Sequence, residues 1–194
     1  MDSSSVISIR QDPKLRKLNL GCGRDIRPPE MNWVNVDKAN VPGVLELDIF
    51  ALPWPLEADG FDYVLAKHVL EHVPHNIPEY GYEKNFLQSF MEEIWRVMKV
   101  GAILEVESPG GIASIVGAID HKRIITPETF HVFYPGDRYD YYSTCRFDRA
   151  GVWRSEPLRF KVLRAFLKRA FGVDISSLSS RNVHFLLRKM PRQM

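Results

Sequence analysis

The first half of the chain is built from short apolar runs, each closed by a polar or glycine break. Leu18 and Leu20 alternate with Lys17 and Asn19 and stop at Gly21. Trp33-Val34-Asn35-Val36 stops at Asp37, and Leu45-Glu46-Leu47 stops at Asp48 before Ile49. Phe61-Asp62-Tyr63-Val64-Leu65-Ala66 and Ile103-Leu104-Glu105-Val106 repeat the pattern. Such runs predict strands over roughly 16–20, 33–37, 44–48, 61–66 and 102–107. The period changes after the fourth strand. Phe86, Phe90, Ile94 and Val97 recur at helical spacing, with Glu92, Glu93 and Arg96 assigned to the outer face. Lys99 and Gly101 mark the end of that helix, which spans about 86–98.

The second half is less regular. Ser108-Pro109-Gly110-Gly111 breaks the chain, and Thr126 before Pro127 reads as a helix N-cap with proline at the first helical position. Residues 132–157 are aromatic and polar without a clear period. Phe160, Leu163, Leu167 and Phe171 fit a basic amphipathic helix, and Val183–Leu187 reads as the last strand. Residues 1–14 are polar, end in Asp12-Pro13, and read as a flexible lead-in to one domain over 15–194.

The turn after the first strand carries the candidate chemistry. Gly21-Cys22-Gly23 lets the backbone bend sharply and leaves bare main chain for a ligand to lie against. Asp37, closing the next strand, falls beside that turn in a parallel sheet, where it can accept both hydroxyls of a ribose. The dinucleotide fingerprint is incomplete. The third glycine of the turn is absent, with Asp25 at two residues past Gly23, and Arg24-Asp25-Ile26-Arg27-Pro28-Pro29 is poor helix material. A nicotinamide-dependent oxidoreductase is therefore the weaker reading of these glycines.

Leu18-Asn19-Leu20-Gly21-Cys22-Gly23, the acids Asp37 and Asp48, Val69-Leu70-Glu71-His72-Val73 and the fifth strand follow one another in an order that resembles the class I S-adenosylmethionine-dependent methyltransferases. The resemblance covers roughly residues 16–135 motif by motif. It implies an α/β, Rossmann-like three-layer sandwich, with a seven-stranded, mostly parallel sheet and an antiparallel last strand. It also implies a strand near 160–166, against the helical reading of that segment. S-adenosyl-L-methionine is the implied cofactor, held by Asn19, Gly21, Cys22, Gly23, Asp37, Asp48, Ile49, Lys67 and His68. Asn19 stands where the family usually has an acid. A methyltransferase-like module that binds without turnover is the alternative.

Methyl transfer needs a general base only when the acceptor is a hydroxyl or a protonated amine. Asp120-His121 follows the fifth strand, where the fold usually places acceptor-contacting groups, and His72 is the second candidate base. His68-Val69-Leu70-Glu71-His72 is not the His-Glu-x-x-His order of zinc peptidases, so no metal is expected. No Asp-Pro-Pro-Tyr or Asn-Pro-Pro-Tyr run follows the fourth strand and no Pro-Cys pair occurs. Both forms of DNA base methylation that use them are disfavoured. A small-molecule or sugar-type acceptor, methylated at oxygen, is the expected substrate.

Composition adds two constraints. With 45% hydrophobic and 26% charged residues in 194, the chain has the make-up of a soluble globule. It shows neither an apolar run of membrane-spanning length nor a signal-type N-terminus, and its two cysteines form no metal or redox spacing. A reduced, cytoplasmic setting is the expectation. The net charge of +2 hides an asymmetry: residues 1–150 carry 16 Lys and Arg against 22 Asp and Glu, while 151–194 carry 10 against 2. A basic end on an acidic body points to an anionic partner: an anionic small-molecule acceptor, an acidic lipid surface or, less favoured, nucleic acid.

Overall fold

The computed structural model describes residues 3–76, 85–111, 118–154, 158–172 and 182–192. Seven strands form one sheet: β1 (Lys17–Leu20), β2 (Trp33–Asp37), β3 (Leu45–Glu46), β4 (Phe61–Lys67), β5 (Met98–Pro109), β6 (Phe147–Arg154) and β7 (Asn182–Lys189). Their spatial order is β3-β2-β1-β4-β5-β7-β6. Strands β1 to β5 are mutually parallel, and β7 runs antiparallel to both of its neighbours. Connections from β1 run outward through β2 to β3, then return to the other side for β4. The reversal opens a crevice at the carboxyl ends of β1 and β4.

Alternation along the strands sorts side chains to the two faces. Leu18, Leu20, Val36, Val64, Ala66, Leu104 and Val106 pack with Phe90, Ile94 and Val97 of α2 (Phe86–Val97). Trp33, Tyr63, Leu65, Ile103 and Leu186 face the other way, against Val6 of α1 (Ser3–Gln11). A sheet with helices on both faces is the expected three-layer arrangement.

Several elements differ from the sequence expectation. Residues 3–11, assigned by polarity to a flexible lead-in, form α1. Buried Val6 anchors it, and Arg10 donates to Glu105 Oε2 at 2.6 Å and to the Tyr63 hydroxyl at 3.1 Å. Strand β5 begins at Met98, directly after α2, because Met98 already pairs with Phe61 before a register slip carries the ladder to Tyr63 and Ile103. Strand β6 occupies 147–154, within a stretch that showed no period. A register shift between Arg149 and Gly151 breaks its alternation, and as an edge strand it needs little apolar content. The segment from Leu158 to Phe171 is a helix, α3, so the amphipathic periodicity prevails there over the strand the family resemblance implied.

Glu93 also departs from its expected outward face. It is buried, accepts from the Trp54 N–H at 2.7 Å, and is bracketed by the Arg96 guanidinium at 2.7 and 2.9 Å. Arg96 also donates to the Trp54 carbonyl, and the Trp54 indole donates to the Ile49 carbonyl at 3.0 Å. Helix α2 thereby fixes the loop that carries Asp48 and Ile49. The Thr126 cap is present: its N–H donates to Thr129 Oγ1 at 3.0 Å, and Pro127–Phe133 forms a 3-10 helix. By sequence, Pro74-His75-Asn76-Ile77-Pro78-Glu79-Tyr80-Gly81-Tyr82 reads as a loop rich in groups able to touch a ligand; beyond Asn76 it lies outside the described residues.

Candidate functional site

The crevice at the strand ends holds a cleft of about 360 Å³. Gly21, Asp37, Lys38 and the run Asp48-Ile49-Phe50 line one side; His68, Val69, His72 and Asp120 line the other. A second hollow of about 250 Å³ shares Gly21 and His68 with it and adds Asn19, Cys22, Arg24, Asp25 and Lys67. Ten of the residues expected from sequence to form a site thus line one continuous groove: Asn19, Gly21, Cys22, Asp37, Asp48, Ile49, Lys67, His68, His72 and Asp120. Gly23 and His121 border it through the contacts described below.

The turn is shaped by strand pairing. Cys22 N–H donates to the Val36 carbonyl at 3.0 Å, and Gly23 N–H donates to Asp37 Oδ2 at 2.9 Å. The other Asp37 oxygen accepts from Ala39 N–H at 3.0 Å. Asp37 is therefore fixed by main-chain donors from both the glycine turn and its own strand end. Gly21 has a φ of +58°, and a Cβ there would lie 3.0 Å from Val69 Cγ2 and 3.2 Å from Ile49 Cδ1. Any side chain would be both strained and in the way. Asp48 caps its own loop, accepting from Phe50 N–H at 2.9 Å. Cys22 is buried, which pushes its thiol above the ordinary range, and the Asp37 charge adds to this; it is a small packing residue of the turn.

Asn19 and Asp25 divide a task. The Asn19 amide is buried and donates to the Asp25 carbonyl at 2.8 Å and to Asn35 Oδ1 at 3.0 Å. Asn35 in turn holds both the N–H and the carbonyl of Arg27 at 2.8 Å. Asn19 thus ties down the loop after the glycines, and the negative charge of that end of the groove resides on Asp25. Its Oδ2 takes Lys67 Nζ at 3.1 Å and Arg27 Nη2 at 3.0 Å. Burial opposes ionisation of Asp25, but the Lys67 hydrogen bond and the Arg27 and Lys67 charges outweigh it and hold the carboxyl below its usual range. Sequence reading missed Asp25 as a site residue because it was weighed only as an absent glycine.

On the opposite wall, His68 adopts a left-handed backbone at φ +55°. That conformation is strained for a residue with a Cβ and persists where the surroundings enforce it. Here the His68 N–H donates to the Glu107 carbonyl at 2.8 Å, and Nδ1 meets Glu71 Oε1 at 3.0 Å. The Glu71 bond, foremost, holds the imidazole above its ordinary range against the effect of burial. Glu71 is itself buried, and its second oxygen accepts from Ser108 Oγ at 3.1 Å.

The expected Asp120-His121 unit is arranged differently in space. Asp120 Oδ2 lies 3.4 Å from His72 Nδ1, and the His121 ring meets the His72 ring edge-on with centroids 4.8 Å apart. Main-chain bonds from Lys122 and Arg123 to the Glu71 carbonyl bring these segments together. Arg123 completes the clamp, donating to the Val73 and Pro74 carbonyls and to Asn85 Oδ1, the N-cap of α2; burial holds its guanidinium down to about 10. Donor atoms of Glu71, His72 and His121 lie within 4.8 Å of one another. The Glu71 oxygens are also bonded to His68 and Ser108.

The fold and the groove define a Rossmann-like α/β domain with a cleft at its strand reversal. Residues 18–106 match the model of a family described as a methyltransferase domain. No curated protein matches the chain by sequence. Among solved structures, a SAM-dependent methyltransferase from Archaeoglobus fulgidus is 17% identical, with 96% of this chain and 90% of that one covered and a TM-score of 0.60. The YcgJ protein of Bacillus subtilis is 12% identical over 98% and 97% of the two chains, with a TM-score of 0.58. The 1,6-didemethyltoxoflavin-N1-methyltransferase of Burkholderia thailandensis, solved with 1,6-didemethyltoxoflavin and S-adenosylhomocysteine, is 10% identical over 97% and 78%, with a TM-score of 0.55. Residues 18–106 thus match a methyltransferase domain, and nearly the whole chain shares the fold of these structures. Of these neighbours, the Archaeoglobus fulgidus protein is dependent on S-adenosylmethionine and the Burkholderia thailandensis protein holds S-adenosylhomocysteine. The groove fits such a cofactor: the Gly21 cradle is one a Cβ would fill, and a doubly anchored carboxylate stands at its rim.

Proposed function

We propose that this chain is an S-adenosylmethionine-dependent methyltransferase acting on a hydroxyl oxygen of a small-molecule or sugar-type acceptor, with His72 as general base and Asp120 as its orienting carboxylate. S-adenosylmethionine, when bound, supplies a methyl group already activated on a sulfonium. The protein's part is to hold two reactants in line and to take a proton.

Asp37 is suited to the ribose, since each of its oxygens has one main-chain donor and keeps a lone-pair direction for a hydroxyl. Asp48, Ile49 and Phe50 are suited to the adenine, and the Gly21–Gly23 main chain to close approach. At the other end, Asp25 is suited to an ammonium, and Lys67 and Arg24 to a carboxylate. His68, between the two hollows, borders the methyl donor.

One observation carries the oxygen assignment: the His72–Asp120 pair on the wall opposite Asp37. A carboxylate on Nδ1 sets the tautomer and leaves Nε2 to accept a proton. A hydroxyl acceptor needs such a base, whereas a thiolate or a neutral amine does not. His121 packs edge-on against the base.

The acceptor is to be sought by an untargeted screen with methyl-labelled cofactor. With it in hand, His72→Ala should lower turnover by about 10²–10⁴-fold while S-adenosylhomocysteine still raises the melting temperature. Asp120→Asn should do less harm, and chelators should change nothing. Label recovered on nitrogen or sulfur would refute the oxygen reading, and a larger loss in His121→Ala than in His72→Ala would move the base to His121.

A further inference from the structure

Helix α3 stands apart from the chemistry above. By sequence, Leu158–Phe171 contains five basic residues, Arg159, Lys161, Arg164, Lys168 and Arg169, and no acid. Helical periodicity gathers Val162, Leu163, Phe166, Leu167 and Phe171 within one half of the helix circumference, opposite Lys168. In the structure, Val162, Leu163, Phe166 and Phe171 are 60%, 48%, 59% and 69% exposed. Phe166 and Phe171 meet edge-on at 6.2 Å, and among the described side chains neither hydrophobic cluster includes one from α3. The helix is properly ended, with Gly172 N–H bonded to the Lys168 carbonyl at 3.1 Å. A complete helix therefore presents an apolar face to solvent within the segment that carries 10 basic residues against 2 acidic ones.

We propose that α3 is an interfacial helix that lays its apolar face into the surface of an anionic lipid bilayer. Charge complementarity selects this occupant. Basic side chains flanking a Phe- and Leu-bearing face are the pattern that combines apolar burial with attraction to acidic headgroups. Nucleic-acid platforms stack bases on aromatic rings, whereas Val162, Leu163 and Leu167 make this face largely aliphatic, with Arg159 within it and Arg164 and Arg169 at its edges. A second copy of α3 would bring like charges together. No helix among the described residues is long and apolar enough to cross a membrane, so the contact is at the surface. The inference is independent of the acceptor and of the catalytic base. It gives the enzyme a means of working where its substrate is presented at a membrane.

The test is flotation of the intact protein with vesicles of phosphatidylcholine alone or mixed with phosphatidylglycerol. The protein should float with the mixed vesicles, float poorly with phosphatidylcholine alone, and be released as salt rises. Phe166→Ser with Leu163→Ser, and separately Lys168→Glu with Arg169→Glu, should each weaken vesicle binding by about tenfold or more. Both variants should keep the thermal shift given by S-adenosylhomocysteine, which separates loss of the surface from loss of the fold. Absence of flotation, equal binding to both vesicle types, or unchanged binding of the apolar variant would overturn the proposal. So would a dimer in sedimentation that the apolar variant dissolves, because α3 would then be a contact between copies.

Discussion

Asp37 is the residue on which cofactor recognition is expected to turn. Its two oxygens are each anchored by one main-chain N–H, so replacing it removes a charged acceptor without removing the turn. Asp37→Ala should weaken S-adenosylhomocysteine binding by about 1.5–3 kcal/mol, read by calorimetry, while NAD shifts the melting temperature of neither protein. His68 offers a second check, through pH. Its imidazole is held above the ordinary histidine range by Glu71, so its protonated form contributes stability in full below the unfolded value of about 6.5. That contribution is lost as pH rises through the higher folded value. The apo protein's melting temperature should therefore fall just above about pH 6.5, and His68→Gln should flatten that part of the profile. Superimposable profiles would assign the titration to another group.

At the level of elements, the wall of the groove depends on α2. Glu93 links α2 to Trp54, and Trp54 holds the Ile49 carbonyl. Glu93→Ala leaves the Arg96 guanidinium and the Trp54 N–H short of their acceptor and should lower stability by about 1–3 kcal/mol. Cofactor affinity should fall with it, although Glu93 lines neither hollow; a stability loss with unchanged affinity would show that the loop keeps its place unaided. This linkage explains what the sequence could and could not disclose. Strands β1, β2 and β4 were legible because Leu18, Val36 and Val64 sit in alternating or saturated apolar runs, and the Gly21-Cys22-Gly23 turn and Asp37 followed from them. Glu93 looked like a solvent-facing charge because local periodicity knows nothing of Trp54. β6 was hidden because an irregularity near Gly151 breaks its alternation at an edge. The pairing of Asp120 with His72 depends on Lys122 and Arg123 bonding across to Glu71, a tertiary contact with no local signature. Asp25 was overlooked because its importance arises only once Lys67 is brought beside it.

For the whole molecule, the face of the sheet opposite α2 rests on a buried polar knot. Glu105, almost fully buried, joins Arg10, Tyr63 and His184. Burial disfavours its charge, but the His184 imidazole 3.5 Å away and hydrogen bonds from Tyr63 and Arg10 prevail and hold the carboxyl below the ordinary glutamate range. The stability it contributes is present above about pH 4.5 and is lost as pH falls through the lower folded value. Glu105→Gln should destabilise the protein by about 1–3 kcal/mol and make the bond between α1 and β1 more sensitive to limited proteolysis. The order of strands has a consequence in time as well as in space. The latest strand of the sheet in sequence, β7, is inserted between β5 and β6. During synthesis β5 therefore waits with an unpaired edge, and β6 has no partner, until residues 182–189 have left the ribosome. A chain halted before Asn182 is not a sheet lacking its border but two pieces that cannot meet, and such a nascent chain should stay protease-sensitive and chaperone-bound.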